Sequence, residues 1–201
     1  MTIKAVAYDV DGVLVRSYGF ADVLERDHGI DNAMQKAFFQ GPFRECVVGR
    51  ADMKEIILPF LTEWGWSSTL DDFVSEWFKH DGVVNDEVLA TVPLLRAAGY
   101  TCCVASTQET HRASWLEESL RFGTLFDHRF FSCRLGKTKD DVTFFDDAAR
   151  ALALDPNEIL FFDDAEGIVE NARKAGWNAE VYAFGDDFNA LLSKHGVQVR
   201  R

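Results

Sequence analysis

The feature that most constrains this chain is an alternation of short apolar runs with amphipathic segments. Ala5–Tyr8, Tyr100–Ser106, Phe126–Cys133, Glu158–Asp163 and Ala179–Phe184 read as buried strands. Helices are expected over Asp86–Ala98, Glu109–Phe122, Asp141–Leu154, Ala165–Ala175 and Asp186–His195, with Pro93 kinking the first or confining its regular part to the C-terminal half. Strands separated by helices pair in parallel through right-handed crossovers. The expected fold class is therefore α/β, a doubly wound parallel (Rossmann-like) sheet of about five strands.

Ligands of such a sheet bind beyond the carboxyl ends of its strands. Polar residues stand at those ends. The first strand runs into Asp9-Val-Asp11-Gly12, where two carboxylates address one crevice and the glycine lets the chain turn. Carboxylates this close repel unless a cation or a shared proton holds them. The second strand ends in Ser106-Thr107-Gln108, the third is followed by Gly136-Lys137-Thr138-Lys139, and the fourth ends in Asp163-Asp164. One such ending could be an acidic turn or, for Asp163-Asp164, a helix N-cap followed by Glu166. Four of them make a constellation.

Residues 16–84 interrupt the alternation. Phe20–His28, Ala33–Phe39, Asp52–Trp64 and Leu70–Lys79 read as amphipathic helices, with Asp52 and Asp71 as starts and Gly29, Gly41, Gly65 and Gly82 as stops. The aromatics there, including Trp64, Trp66 and Trp77, read with Trp115 as core. Two domains are expected: an α/β core from 1–15 and 85–201, and a helical cap from 16–84.

The formal net charge of −12 argues against nucleic-acid and anionic-membrane partners, and an anionic substrate would need a local cation. No leader pattern and no membrane-length apolar run is visible, and the four cysteines show no Cys-x-x-Cys spacing, so a reduced cytoplasmic location is expected. Adjacent Cys102 and Cys103 read as packing. The five histidines have no mutual metal spacing, although His111 lies one turn beyond Ser106-Thr107. Arg44 and Arg50 read as solvated helix-end cations.

These motifs resemble those of the haloacid dehalogenase-like hydrolase superfamily over nearly the whole chain. Asp9-Val-Asp11-Gly-Val-Leu matches the first motif, Ser106 the second, Lys139 the third and Asp163-Asp164 the fourth. The helical insertion resembles the C1-type cap, and Val104–Trp115 resembles the small sugar-phosphate phosphatases. Thr107 stands where asparagine is common in the family, and Asp140-Asp141 where proline is usual.

The resemblance implies a Mg²⁺-dependent phosphomonoester hydrolase acting on a small phosphorylated metabolite. Residue chemistry agrees with it. Asp9 is the candidate nucleophile, forming an aspartyl-phosphate, and Asp11 the acid and base. Ser106, Thr107 and Lys139 are the candidate substrate contacts, with Ser106 and Lys139 holding the phosphoryl oxygens. Asp9, Asp11 (through its backbone carbonyl), Asp163 and Asp164 are the candidate Mg²⁺ ligands. By spacing alone, Lys137 could take the place of Lys139.

Other readings compete. Phosphoryl-group mutation and a non-catalytic binding role on the same fold remain open, and the expected state is monomer or homodimer. Haloacid dehalogenation, which needs no metal and usually lacks the second acid, fits the residues less well.

Overall fold

The computed structural model describes residues 2–16 and 19–198. Seven strands are present among them: β1 (Ala5–Tyr8), β2 (Val15–Arg16), β3 (Val83–Val84), β4 (Thr101–Ser106), β5 (His128–Phe131), β6 (Ile159–Asp163) and β7 (Asn178–Val181). Five form one parallel sheet in the order β5-β4-β1-β6-β7. β1 is central because it is apolar on both faces, as a strand covered by helices on either side must be. The chain builds outward from β1 to β4 and β5, then returns to place β6 and β7 on the other side. The change of direction falls at β1, whose carboxyl end carries Asp9.

The period-two pleat sorts the side chains into two cores. Val6, Tyr8, Cys102, Val104, Leu160 and Phe162 pack on one face, and Ala5, Ala7, Cys103, Ala105, Ile159 and Phe161 on the other. Cys102 and Cys103 therefore point to opposite faces, both fully buried and free, as packing residues. The small alanines of the second face make room for Phe144, Phe145 and Trp177, whose rings meet Phe161 or each other edge-on.

The helical segment between β2 and β3 has a third core of its own, built on Phe20, Phe38, Ile57, Trp64, Phe73, Trp77 and Phe78. Among the described residues five helices are present there rather than four, because Phe43–Val47 also coils. Asp52 does start a helix, accepting the Lys54 amide at 2.7 Å, but Asp71 does not. Thr69 takes that role in a reciprocal capping box with Asp72. At the root of the segment β2 and β3 pair antiparallel, a two-residue ribbon too short for the sequence pattern to reveal.

Other boundaries moved for local reasons. The helix expected over Asp86–Ala98 is two, Asp86–Leu89 and Thr91–Ala97, and Pro93 sits in the first turn of the second, where its missing N–H costs nothing. Phe126–Cys133 is extended only over β5, since Ser132–Leu135 already forms a helical turn closed by Gly136 at positive φ. Trp64 and Trp77 are buried, whereas Trp66 and Trp115 are only partly so. No helix among the described residues is long and apolar enough to cross a membrane.

Candidate active site

Asp9 follows β1 directly, its amide donating to the Phe162 carbonyl at 2.9 Å, so the residue is still held by the sheet. Its neighbour on β6 ends in Asp163. Between these two acids lies Lys139, with its ammonium 2.6 Å from Asp9 Oδ1 and 2.5 Å from Asp163 Oδ2. Asp9, Lys139 and Asp163 are 6%, 4% and 1% exposed. The Lys139 contact to Asp9 Oδ1 is a buried ion pair. Lys137 points elsewhere, to Thr143 Oγ1 at 3.0 Å and Asp147 at 2.7 Å, so Lys139 is the one of the two that lies beside Asp9 and Asp163.

Asp164 completes the group. Carboxylate oxygens of Asp9, Asp163 and Asp164 all lie within 4.8 Å of one another. Its place depends on Gly12, whose φ of +82° suits glycine and where a Cβ would sit 2.3 Å from Asp164 Oδ2. Neither acid of the pair caps the following helix as an N-cap residue. Ala165 stands there, and Asp163 Oδ1 instead accepts the Ala165 amide at 2.9 Å, which fixes its carboxylate.

Three carboxylates around one lysine leave two negative charges in excess. Burial pushes Asp9 up to about 7, against the pull of Lys139, and Asp163 and Asp11 add to the rise. Asp164 is raised by burial and then by Asp163. For Lys139 burial favours the neutral form, but Asp9 and Asp163 outweigh it and hold the ammonium above its usual value. Oxygen donors and a surplus of two negative charges fit a hard divalent cation such as Mg²⁺.

The carboxylate of Asp11 lies outside this group. Its Oδ2 accepts from Gln108 Nε2 at 2.6 Å, and the same nitrogen donates to Ser106 Oγ at 3.1 Å. Its Oδ1 accepts from Arg112 Nη2 at 2.6 Å. Thus the end of β4 is tied to Asp11 through Gln108. Thr107 lines a small cleft of about 150 Å³ in which Asp11, Gln108 and Arg112 face Phe43, Val47 and Trp77 of the helical segment. A larger hollow of about 480 Å³ beside Leu94, Tyr100 and Gln198 has no acidic lining.

Sequence reasoning missed Gln108 and Arg112. Gln108 stands within the quoted motif and could have been found there. Arg112 carries no signal beyond lying one turn into the helix that follows. His111, the residue worth watching, turns to Asp52 at 2.9 Å instead of the acids. Arg44 and Arg50 are exposed. Asp140 is exposed too and accepts from Thr138 Oγ1 at 3.2 Å.

The family profile described as haloacid dehalogenase-like hydrolase matches residues 3–176. Bifunctional epoxide hydrolase 2 of Rattus norvegicus is 25% identical over 205 aligned positions, covering 88% of this chain and 36% of that protein. The chain thus spans about a third of the curated relatives it matches. A HAD family enzyme of Bacteroides thetaiotaomicron, solved in complex with magnesium and inorganic phosphate, superposes with a TM-score of 0.77 at 18% identity, over 94% of this chain and 98% of that one. The L-2-haloacid dehalogenase of Xanthobacter autotrophicus, with chloropropionic acid covalently bound, gives 0.67 at 16% identity, over 100% and 85%.

Proposed function

Because the chain belongs to the haloacid dehalogenase-like hydrolases, we propose that it is a Mg²⁺-dependent phosphomonoester hydrolase acting on a small phosphorylated metabolite through an aspartyl-phosphate. The observation that carries this reading is the gathering of Asp9, Lys139, Asp163 and Asp164 at the carboxyl ends of β1 and β6. The magnesium and inorganic phosphate bound by the B. thetaiotaomicron enzyme support it.

In this reading a carboxylate oxygen of Asp9 attacks phosphorus, and the bond from phosphorus to the ester oxygen breaks. Asp11 gives the departing oxygen a proton, then takes one from the water that cleaves the acyl-phosphate. Lys139 and the Ser106 hydroxyl hold the phosphoryl oxygens as charge grows on them. Asp9, Asp163 and Asp164, with the Asp11 carbonyl, would hold the cation. When bound it supplies the neutralisation that lets an anionic nucleophile approach a dianion. The helical segment acts as the cap, and the size of the cleft beneath it favours a small leaving group.

A colorimetric assay with p-nitrophenyl phosphate tests the proposal. Turnover is expected with Mg²⁺, loss with chelator, and a fall of about 10³-fold or more in Asp9→Asn, since the nucleophile is gone. Metal-independent halide release from 2-haloacids would instead assign dehalogenation, for which the likeness to the Xanthobacter enzyme speaks only at the level of fold. Silence against a broad phosphate panel would assign a binding role.

A further inference from the structure

The reaction above leaves one buried cation without a task. Arg112, on the helix Thr110–Glu118, is 4% exposed and lines the cleft beside Asp11. A single nitrogen, Nη2, donates both to Asp11 Oδ1 at 2.6 Å and to the Asp81 carbonyl at 2.7 Å. The arginine itself has little freedom. Its amide is bonded to the Glu109 side chain that caps the helix, and its guanidinium lies 5.9 Å from the Phe78 ring centroid. Nη1 has no partner among the described residues.

Asp81 is tied to both legs of the helical segment. It follows the segment's last helix, and its carboxylate accepts the Phe20 amide at 3.3 Å and Trp77 Nε1 at 2.9 Å. The position of the Asp81 carbonyl therefore reports where the segment sits. Of the two N–H groups on Nη2, one goes to Asp11 and the other to this carbonyl, so the same nitrogen joins the carboxyl to the segment. With Gln108 on its other oxygen, the Asp11 carboxyl is held from both sides, once by the α/β core and once by a group that also touches the segment.

We infer that Arg112 is a positioning residue, which aims the Asp11 carboxyl at the leaving-group oxygen and does so only while the helical segment is seated against the core. The inference rests on the phosphomonoesterase reading and concerns where a carboxyl points. A misaimed Asp11 impairs both of its proton transfers, but kcat/KM reports only the steps up to departure of the leaving group, so in kcat/KM the damage depends on how badly that group needs a proton. Nitrophenolate departs without one; an alkoxide does not.

The test compares p-nitrophenyl phosphate with ethyl phosphate in the full chain with Mg²⁺. Arg112→Met is expected to lose about 100-fold or more in kcat/KM on ethyl phosphate, the lower range of a general-acid contribution, and less than about 10-fold in kcat/KM on p-nitrophenyl phosphate. In Arg112→Ala, added guanidinium ion restores ethyl phosphate turnover. Arg112→Lys keeps the charge but lacks the planar fork, and guards against a variant that does not fold; it shows the same selectivity with a smaller loss. Equal losses of kcat/KM on both esters overturn the inference and leave the phosphatase reading intact. A wild-type protein that cleaves neither ester overturns both.

Discussion

At the residue scale the site is decided by close approaches that leave little choice of side chain. Gly12 is the clearest. Its backbone lies at φ +82°, and the space a Cβ would need belongs to the Asp164 carboxylate. Gly12→Ala carries a left-handed backbone cost of about 1–2 kcal/mol and must push Asp164 out of the acid cluster. The expected outcome is a lower urea midpoint together with a Mg²⁺ requirement raised at least several-fold, measured by titrating activity against metal. A fall in stability with an unchanged metal requirement would detach Asp164 from the cation. Lys139 makes the same point in reverse. It and Lys137 are two residues apart, yet only one is walled in by Asp9 and Asp163 while the other faces Asp147.

At the scale of elements, the helix carrying Arg112 is anchored to the neighbouring strand by Glu117. Both oxygens of Glu117 take a forked pair of bonds from Arg134 at 2.7 and 2.6 Å, and Oε1 also accepts from Arg129 on β5 at 3.1 Å. Arg134 is the main cause that holds the Glu117 carboxyl below its ordinary value, Arg129 a lesser one, against the opposing effect of burial. A group whose folded value is depressed lends stability above its unfolded value, near 4.3, and loses it as pH falls through the folded one. Glu117→Gln is therefore expected to cost about 1 kcal/mol at pH 7, the upper range for a partly exposed pair. The gap from wild type should close as pH falls below about 4, read from urea midpoints across that range. A gap that persisted in acid would assign Glu117 a packing role.

At the scale of the whole molecule, the question is how the helical segment is held to the sheet. Its root is clasped by the β2–β3 pair and by Asn85, which is buried. The Asn85 amide nitrogen donates to the Val13 carbonyl and to the Tyr182 hydroxyl, both at 3.0 Å, so one side chain joins the turn after β1 to the stretch after β7. Further along, Ser132 Oγ donates to the Val47 carbonyl at 2.5 Å, and His111 meets Asp52. Asn85→Ala leaves a buried carbonyl and a buried hydroxyl short of a donor, and is expected to cost about 2 kcal/mol by chemical denaturation. Because the root lies beside the site, the same variant should lose activity before it unfolds. Unaltered turnover up to the unfolding transition would separate the root from the chemistry.

Much of this protein was legible in one dimension, and the reason is periodicity. The alternation of strand and helix sets a parallel sheet, and a parallel sheet sets which ends of its strands meet a ligand, so Asp9, Ser106 and Asp163-Asp164 announce themselves by position along the chain. The choice of Lys139 over Lys137, the stance of Asp163 toward the Ala165 amide and the short β2–β3 ribbon left no such mark. They depend on contacts between segments far apart in sequence. Arg112 illustrates the boundary: 101 residues separate it from Asp11, and no local pattern records that the two touch. Local periodicity dictates which elements form and which ends carry polar groups. Only packing those elements against one another determines which of several candidate charges is desolvated beside which, and that pairing is what gives a carboxylate its task.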